Sequence, residues 1–184
     1  IQLYGPVEDD LQSLAARVLE AIPPRTREAK TGPPVAAAEF ARRAEAEIAH
    51  FRRDLPDIGA RVEIRRDVTG LMVSRGNLLI SADTKIPASR VEALIQHEVG
   101  THVLTYHNGR TQPLRHLYAG LAGYDALQEG LAVLSEYLVG GLSRPRLRLL
   151  AARVVAVAHL IDGATFVETF RELDRTHGFA QRVA

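Results

Sequence analysis

The sequence predicts a mostly helical α+β domain. Apolar residues recur at helical spacing in long stretches on both sides of the chain's middle. A short central region switches to alternation with period two. Gly- and Pro-containing breaks divide these stretches into pieces of ordinary helix and strand length.

The elements follow in order. Val7 to Ala21 is an amphipathic helix, with Leu11, Leu14, Val18 and Leu19 on one side. Ile22 to Val35 holds Pro23, Pro24, Pro33 and Pro34 and reads as a linker or exposed loop, residues 22–35, between the N-terminal helix and the core. Ala36 to Asp54 is a second helix, ended by Pro56 and Gly59. Val62, Ile64, Leu71, Val73 and the run Leu78 to Ile80 then alternate around turns at Asp67–Gly70 and Arg75–Asn77. That pattern predicts a small antiparallel meander from about Arg61 to Ala82, packed beside the helix that follows. Ser89 and Glu92 form a capping-box pattern ahead of Val91, Leu94 and Ile95, so a helix opens there and ends at Asn108-Gly109. Further helices are expected at 113–119, 124–139, 143–161 and 164–176.

At 184 residues the chain suits one core, or one core with an extra lobe, and reads as a single domain. A net charge of +1 gives no bulk electrostatic case for nucleic acid or membrane. The absence of Cys excludes disulfides, thiolate ligands and a Cys nucleophile. It also fits a cytoplasmic location, as does the lack of a leader-like or membrane-spanning segment. The chain opens on Ile1 rather than Met, and is expected to be a piece of a longer chain.

The chemistry concentrates in His97-Glu98-Val99-Gly100-Thr101-His102 and Gln128-Glu129-Gly130-Leu131-Ala132. Zinc-protease helices carry His at i and i+4, where both imidazoles share a face. Here the spacing is i and i+5, and on a regular helix such positions diverge by roughly 140°. A local i→i+5 turn near Gly100 would bring them together. With no Cys, a third ligand must be His, Asp or Glu, and Glu129 on the next major helix is the best candidate. It sits amid Ala126, Leu127, Leu131, Ala132 and Val133, where a carboxylate needs a partner. Gly130 beside it would permit a close approach. Glu98 is then free as general base for a water whose pKa a metal has lowered. Asp125 and Glu136, at helical spacing from Glu129, are candidates to orient a ligand imidazole. Tyr106, His107 and Tyr124 are candidate oxyanion donors, and Arg110 or Arg115 a candidate carboxylate clamp. The Leu71–Ile80 meander could take up an extended peptide as an added strand. Arg144, Arg146 and Arg148 read as a solvated face.

The two motifs in this order, with Leu104–Arg110 and Gln112–Arg115 between them, resemble the flavohemoglobin expression-modulating QEGLA-motif proteins and their animal relatives, the microtubule-associated tyrosine carboxypeptidases. The resemblance is densest from Arg61 to Ile161, and family members extend beyond both ends of this chain. It implies a gluzincin-like zinc metallopeptidase. His97 and His102 match the imidazole ligands, Glu129 the carboxylate ligand and Glu98 the catalytic glutamate. The cofactor is then Zn2+, and the partner a peptide or protein C-terminus. The competing expectation is a metal-stabilised, non-catalytic module that binds protein partners. It needs His97, His102 and Glu129 but not Glu98.

Overall fold

The computed structural model describes residues 6–24 and 32–179. Along the chain lie α1 (Asp9–Ala21), β1 (Val35–Ala36), α2 (Ala37–Phe51), β2 (Val62–Arg65), β3 (Leu71–Ser74), β4 (Asn77–Ser81), β5 (Lys85–Ile86), α3 (Val91–His97), α4 (Leu104–Thr111), α5 (His116–Ala119), α6 (Tyr124–Leu138), α7 (Arg144–Ile161) and α8 (Phe166–Arg171). Two π-helical segments, Glu98–Val103 and Glu172–Thr176, follow α3 and α8. The mostly helical α+β expectation holds. The chain divides into two compact units, Lys30–Leu142 and the paired segments Ile1–Ala29 and Ser143–Ala184. Of the Pro-rich stretch read as a linker, residues 25–31 lie outside the described residues. Among the described residues, no helix is long and apolar enough to cross a membrane.

The larger unit is built around α2 and the motif helix. Ala37, Phe40, Ala41, Ala44 and Ile48 recur every three or four residues and form the buried face of α2. They pack with Leu78 and Ile80 of β4 and with Val91, Ile95, Val99 and Val103. This last set, spaced every four residues, keeps one face of the motif helix in the core from α3 through the π segment.

The predicted meander needs correction. The three-stranded sheet has the order β2-β4-β3. β3 and β4 form the expected antiparallel hairpin, but β2 pairs with β4 in parallel, Val62 opposite Leu78. Leu78, Leu79 and Ile80 are all buried, so β4 presents apolar side chains on both faces and takes the centre. β3 is left as an outer strand. A second, antiparallel pair joins β1 to β5.

Two helix ends also differ from expectation. A 3-10 turn over Ala88–Arg90 precedes α3, which leaves Arg90, not Ser89, at the N-cap position. A capping box does form at Thr165 and Glu168, where α8 begins. Asn108-Gly109 does not end the motif helix; α4 runs on to Thr111. Gly109 is buried where the backbone of α5 crosses it. A Cβ there would lie 2.6 Å from the Leu117 carbonyl oxygen and 2.8 Å from the Tyr118 Cα. That glycine serves close helix packing rather than termination.

The smaller unit packs α1 on α7 through Ala15, Leu19, Ala151 and Ala152, joined by Leu173. Arg148 is buried, which corrects its reading as a solvated side chain. It donates to the Leu19 carbonyl at 2.9 Å and to the carbonyls of Ile22 and His177, and its guanidinium lies 4.9 Å from the Phe179 ring centroid. The charge is thus directed at carbonyls that include those at the end of α1, groups a helix leaves unsatisfied.

Gly109→Ala is expected to lower stability by about 1–3 kcal/mol, because rigid backbone rather than a flexible side chain would have to shift. Chemical denaturation of the two proteins checks this.

Candidate metal centre

The turn required by the five-residue His spacing is present. Glu98–Val103 is π-helical, with an i→i+5 bond from the Leu104 amide to the Val99 carbonyl. The wider turn brings the His97 and His102 rings to a centroid separation of 5.1 Å. Thr101 supports it: its hydroxyl donates to the Gln96 carbonyl at 3.1 Å and lies 3.3 Å from the Ser135 hydroxyl on α6. Gly100 is not sterically required. A Cβ there would meet only the flexible end of Gln96.

One face of α6 completes the group. Glu129, Ala132 and Glu136 follow at helical spacing, and each meets or faces the motif helix. Glu129 places one carboxylate oxygen 3.5 Å from His102 Nε2 and the other 3.9 Å from His97 Nε2. Its side chain is 64% exposed. The apolar run around Glu129 therefore does not bury it, because the flanking Leu127 and Leu131 are exposed too. Gly130 is not a close-approach site either, since a Cβ there would meet nothing within 4 Å.

Behind the pair, Glu136 is fully buried. One oxygen lies 2.9 Å from His97 Nδ1, and the other accepts from Arg90 at 2.8 Å. Arg90 also donates to the Gly141 carbonyl at 2.7 Å. A carboxylate on Nδ1 fixes the ring's orientation, with Nε2 on the side of Glu129. Of the two acidic residues singled out around Glu129, Glu136 does this, while Asp125 lines the cleft in front. Arg90 carried no sequence signal beyond its place at a helix start.

The donor set suits a divalent ion. The ligand atoms of His97, His102 and Glu129 all lie within 4.8 Å of one another. Tetrahedral zinc with bonds of about 2.0–2.1 Å sets its ligand atoms about 3.4 Å apart, so small adjustments of these side chains reach that geometry. The surrounding charge points the same way. Burial, with the charges of Glu129 and Glu136, pushes the Glu98 carboxyl up to about 7. Such crowding of carboxylates is relieved by a cation. Burial also holds the His102 imidazole below its usual range, which favours the neutral form that ligates a metal.

The group lies in an open cleft of about 430 Å³ within the larger unit. Tyr106 and Tyr124 line this cleft, as do Glu98 and the outer strand β3. Other sequence candidates sit elsewhere. His107 Nε2 donates to the Gly76 carbonyl at 3.1 Å, so that ring anchors the β3–β4 turn. Arg110 lies 5.9 Å from the ring centroids of both Tyr106 and Tyr118. His107 and Arg110 line an adjoining hollow, and Arg115 is among the lining residues of neither. Arg75, which the hairpin brings to the cleft and to the adjoining hollow, carried no sequence signal beyond its place in a turn.

Two substitutions probe this arrangement. Glu136→Gln is expected to weaken zinc binding by roughly 10- to 100-fold, measured by competition with a chromogenic chelator. Arg90→Met is expected to lower stability by about 3–5 kcal/mol, read by denaturant unfolding, because it removes the permanent cation paired with the buried Glu136 carboxylate.

No curated protein and no solved structure matches the chain. A family model does, over residues 1–184: that of the microtubule-associated tyrosine carboxypeptidases. A carboxypeptidase takes a peptide or protein as its substrate. By that match over its whole length, the chain belongs to the microtubule-associated tyrosine carboxypeptidase family.

Proposed function

We propose that the chain is a zinc-dependent, gluzincin-like carboxypeptidase that hydrolyses the last peptide bond of a peptide or protein C-terminus. The observation that carries this reading is the convergence of His97, His102 and Glu129 within 4.8 Å, with Glu98 lining the same cleft. His97, His102 and Glu129 would hold the ion. Zinc bound there supplies Lewis acidity, which activates water and polarises a carbonyl.

The remaining chemistry belongs to the chain's own groups. The Glu98 carboxylate accepts a proton from the attacking water and returns it to the departing amine. Glu136 and Arg90 hold the His97 ring in place throughout. The phenols of Tyr106 and Tyr124, which line the cleft, are our candidate donors to a developing oxyanion. β3 is an outer strand, and Leu71, Met72 and Val73 all line the cleft. An extended peptide can therefore add to its free edge and lie across Glu98.

Glu98→Gln separates this reading from a non-catalytic metal-stabilised module. The variant is expected to bind zinc and to lose peptide hydrolysis by at least about 10²-fold. Retained hydrolysis would remove Glu98 from the mechanism. Zinc binding without hydrolysis by either protein, across a library of C-terminal peptides, would favour the module. His102→Ala is expected to abolish both zinc binding, read by metal analysis after dialysis, and the thermal stabilisation that zinc gives.

A further inference from the structure

We propose that Arg75 is the residue that selects a free C-terminal carboxylate, its guanidinium pairing with both carboxylate oxygens of a substrate held in the cleft. This rests on the carboxypeptidase reading and adds to it the group that recognises the chain end.

Backbone conformation is the first reason. Arg75 is, among the described residues, the non-glycine residue with positive φ, at 49°. It occupies the first position of a two-residue turn, with Gly76 at φ 75° and Ser74 paired to Asn77 across it. Both central residues of such a turn take left-handed backbone, which Asn, Asp and Gly adopt readily and a long side chain does not. An arginine in that place is unfavourable for the hairpin itself, and outliers of this kind gather where a side chain has a task.

Charge narrows the task. Among the described residues, Arg75 is the one Arg or Lys lining the cleft, which also holds Glu98, Asp125 and Glu129. Of the described residues, an anionic chain end entering there meets three carboxylates and one permanent cation. Arg110 and Arg115, the clamps suggested by sequence, do not line the cleft. A guanidinium also has the planar pair of donors that a carboxylate accepts side by side.

The turn that carries Arg75 is held in position. The Gly76 carbonyl accepts from His107 Nε2 at 3.1 Å. A Cβ on Gly76 would sit 2.8 Å from the same nitrogen and overlap the Tyr106 ring, so the turn packs directly against α4. Because α4 continues the helix that bears His97 and His102, the platform for the guanidinium and the metal ligands share one rigid support. β3 leads into the turn, so an extended peptide laid along β3 is carried toward Arg75.

The test compares one N-blocked short peptide ending in tyrosine, prepared with a free carboxylate and as the amide. Wild type, Arg75→Asn and Arg75→Lys are each assayed zinc-loaded. Asn suits the turn, so Arg75→Asn is expected to melt at or above the wild-type temperature. Its kcat/KM on the free acid is expected to fall by roughly 10- to 100-fold, and its acid-to-amide ratio to collapse toward one. Arg75→Lys restores part of the ratio, since it keeps the charge without the paired donors. An acid-to-amide ratio in Arg75→Asn equal to wild type overturns the assignment, as does a wild type with no preference for the acid. Binding of the same two peptides to zinc-loaded Glu98→Gln, with and without Arg75→Asn, reads the preference without turnover. If no variant hydrolyses either peptide but the acid preference in binding still depends on Arg75, the hydrolase reading fails and this one stands. If hydrolysis proceeds and neither assay depends on Arg75, the reverse holds.

Discussion

Two imidazoles five residues apart converge only if the helix between them widens, and most of the site depends on that one constraint. A regular helix would turn His102 away from His97 by roughly 140°. The π segment at Glu98–Val103 removes the divergence, while a spacing of four continues in the core through Ile95, Val99 and Val103. The distortion is local because the core residues on either side stay buried. Thr101 adds a side-chain bond within the turn, and Ser135 ties that turn to α6.

The second requirement is a fixed distance between the motif helix and α6. A buried chain of charge sets it: His97 to Glu136, Glu136 to Arg90, Arg90 to the Gly141 carbonyl. Each side chain in that chain is buried or nearly so, where an unpaired charge is strongly unfavourable and a paired one has few alternative positions. Glu129 lies about two turns before Glu136 on the same helix face. It is thereby delivered to the two Nε2 atoms from a register that α6 cannot easily change. Its own exposure leaves it free to move toward an ion.

The hairpin supplies what the helices lack. The helical run from α3 to α6 brings imidazoles, carboxylates and phenols to the cleft, and the β3–β4 turn brings Arg75. Among the described residues β3 stays unpaired on one side, because β4, apolar on both faces, takes the middle of the sheet. An outer strand, a candidate metal-binding group and a cation are thus placed around one cleft by elements that each answer to a different packing rule.

Sequence by itself determined the chemistry and much of its local geometry. The His spacing demands a widened turn whatever surrounds it, because helix periodicity is a property of the backbone. The absence of Cys and the position of Glu129 narrow the third ligand, and Glu136 follows from spacing along the same helix. Tertiary structure decided what depends on contacts distant in the chain. Strand order could not be read from alternation, since period two gives the faces of a strand but not its neighbours. Gly109 looked like a helix terminator because its role lies in the approach of α5, eight residues away at Leu117. Arg148 looked solvated because the carbonyls that hold it belong to residues 19, 22 and 177. Arg75 was legible only as part of a turn. The cleft it lines is assembled from a hairpin and the helical run from α3 to α6, and no local pattern records that assembly.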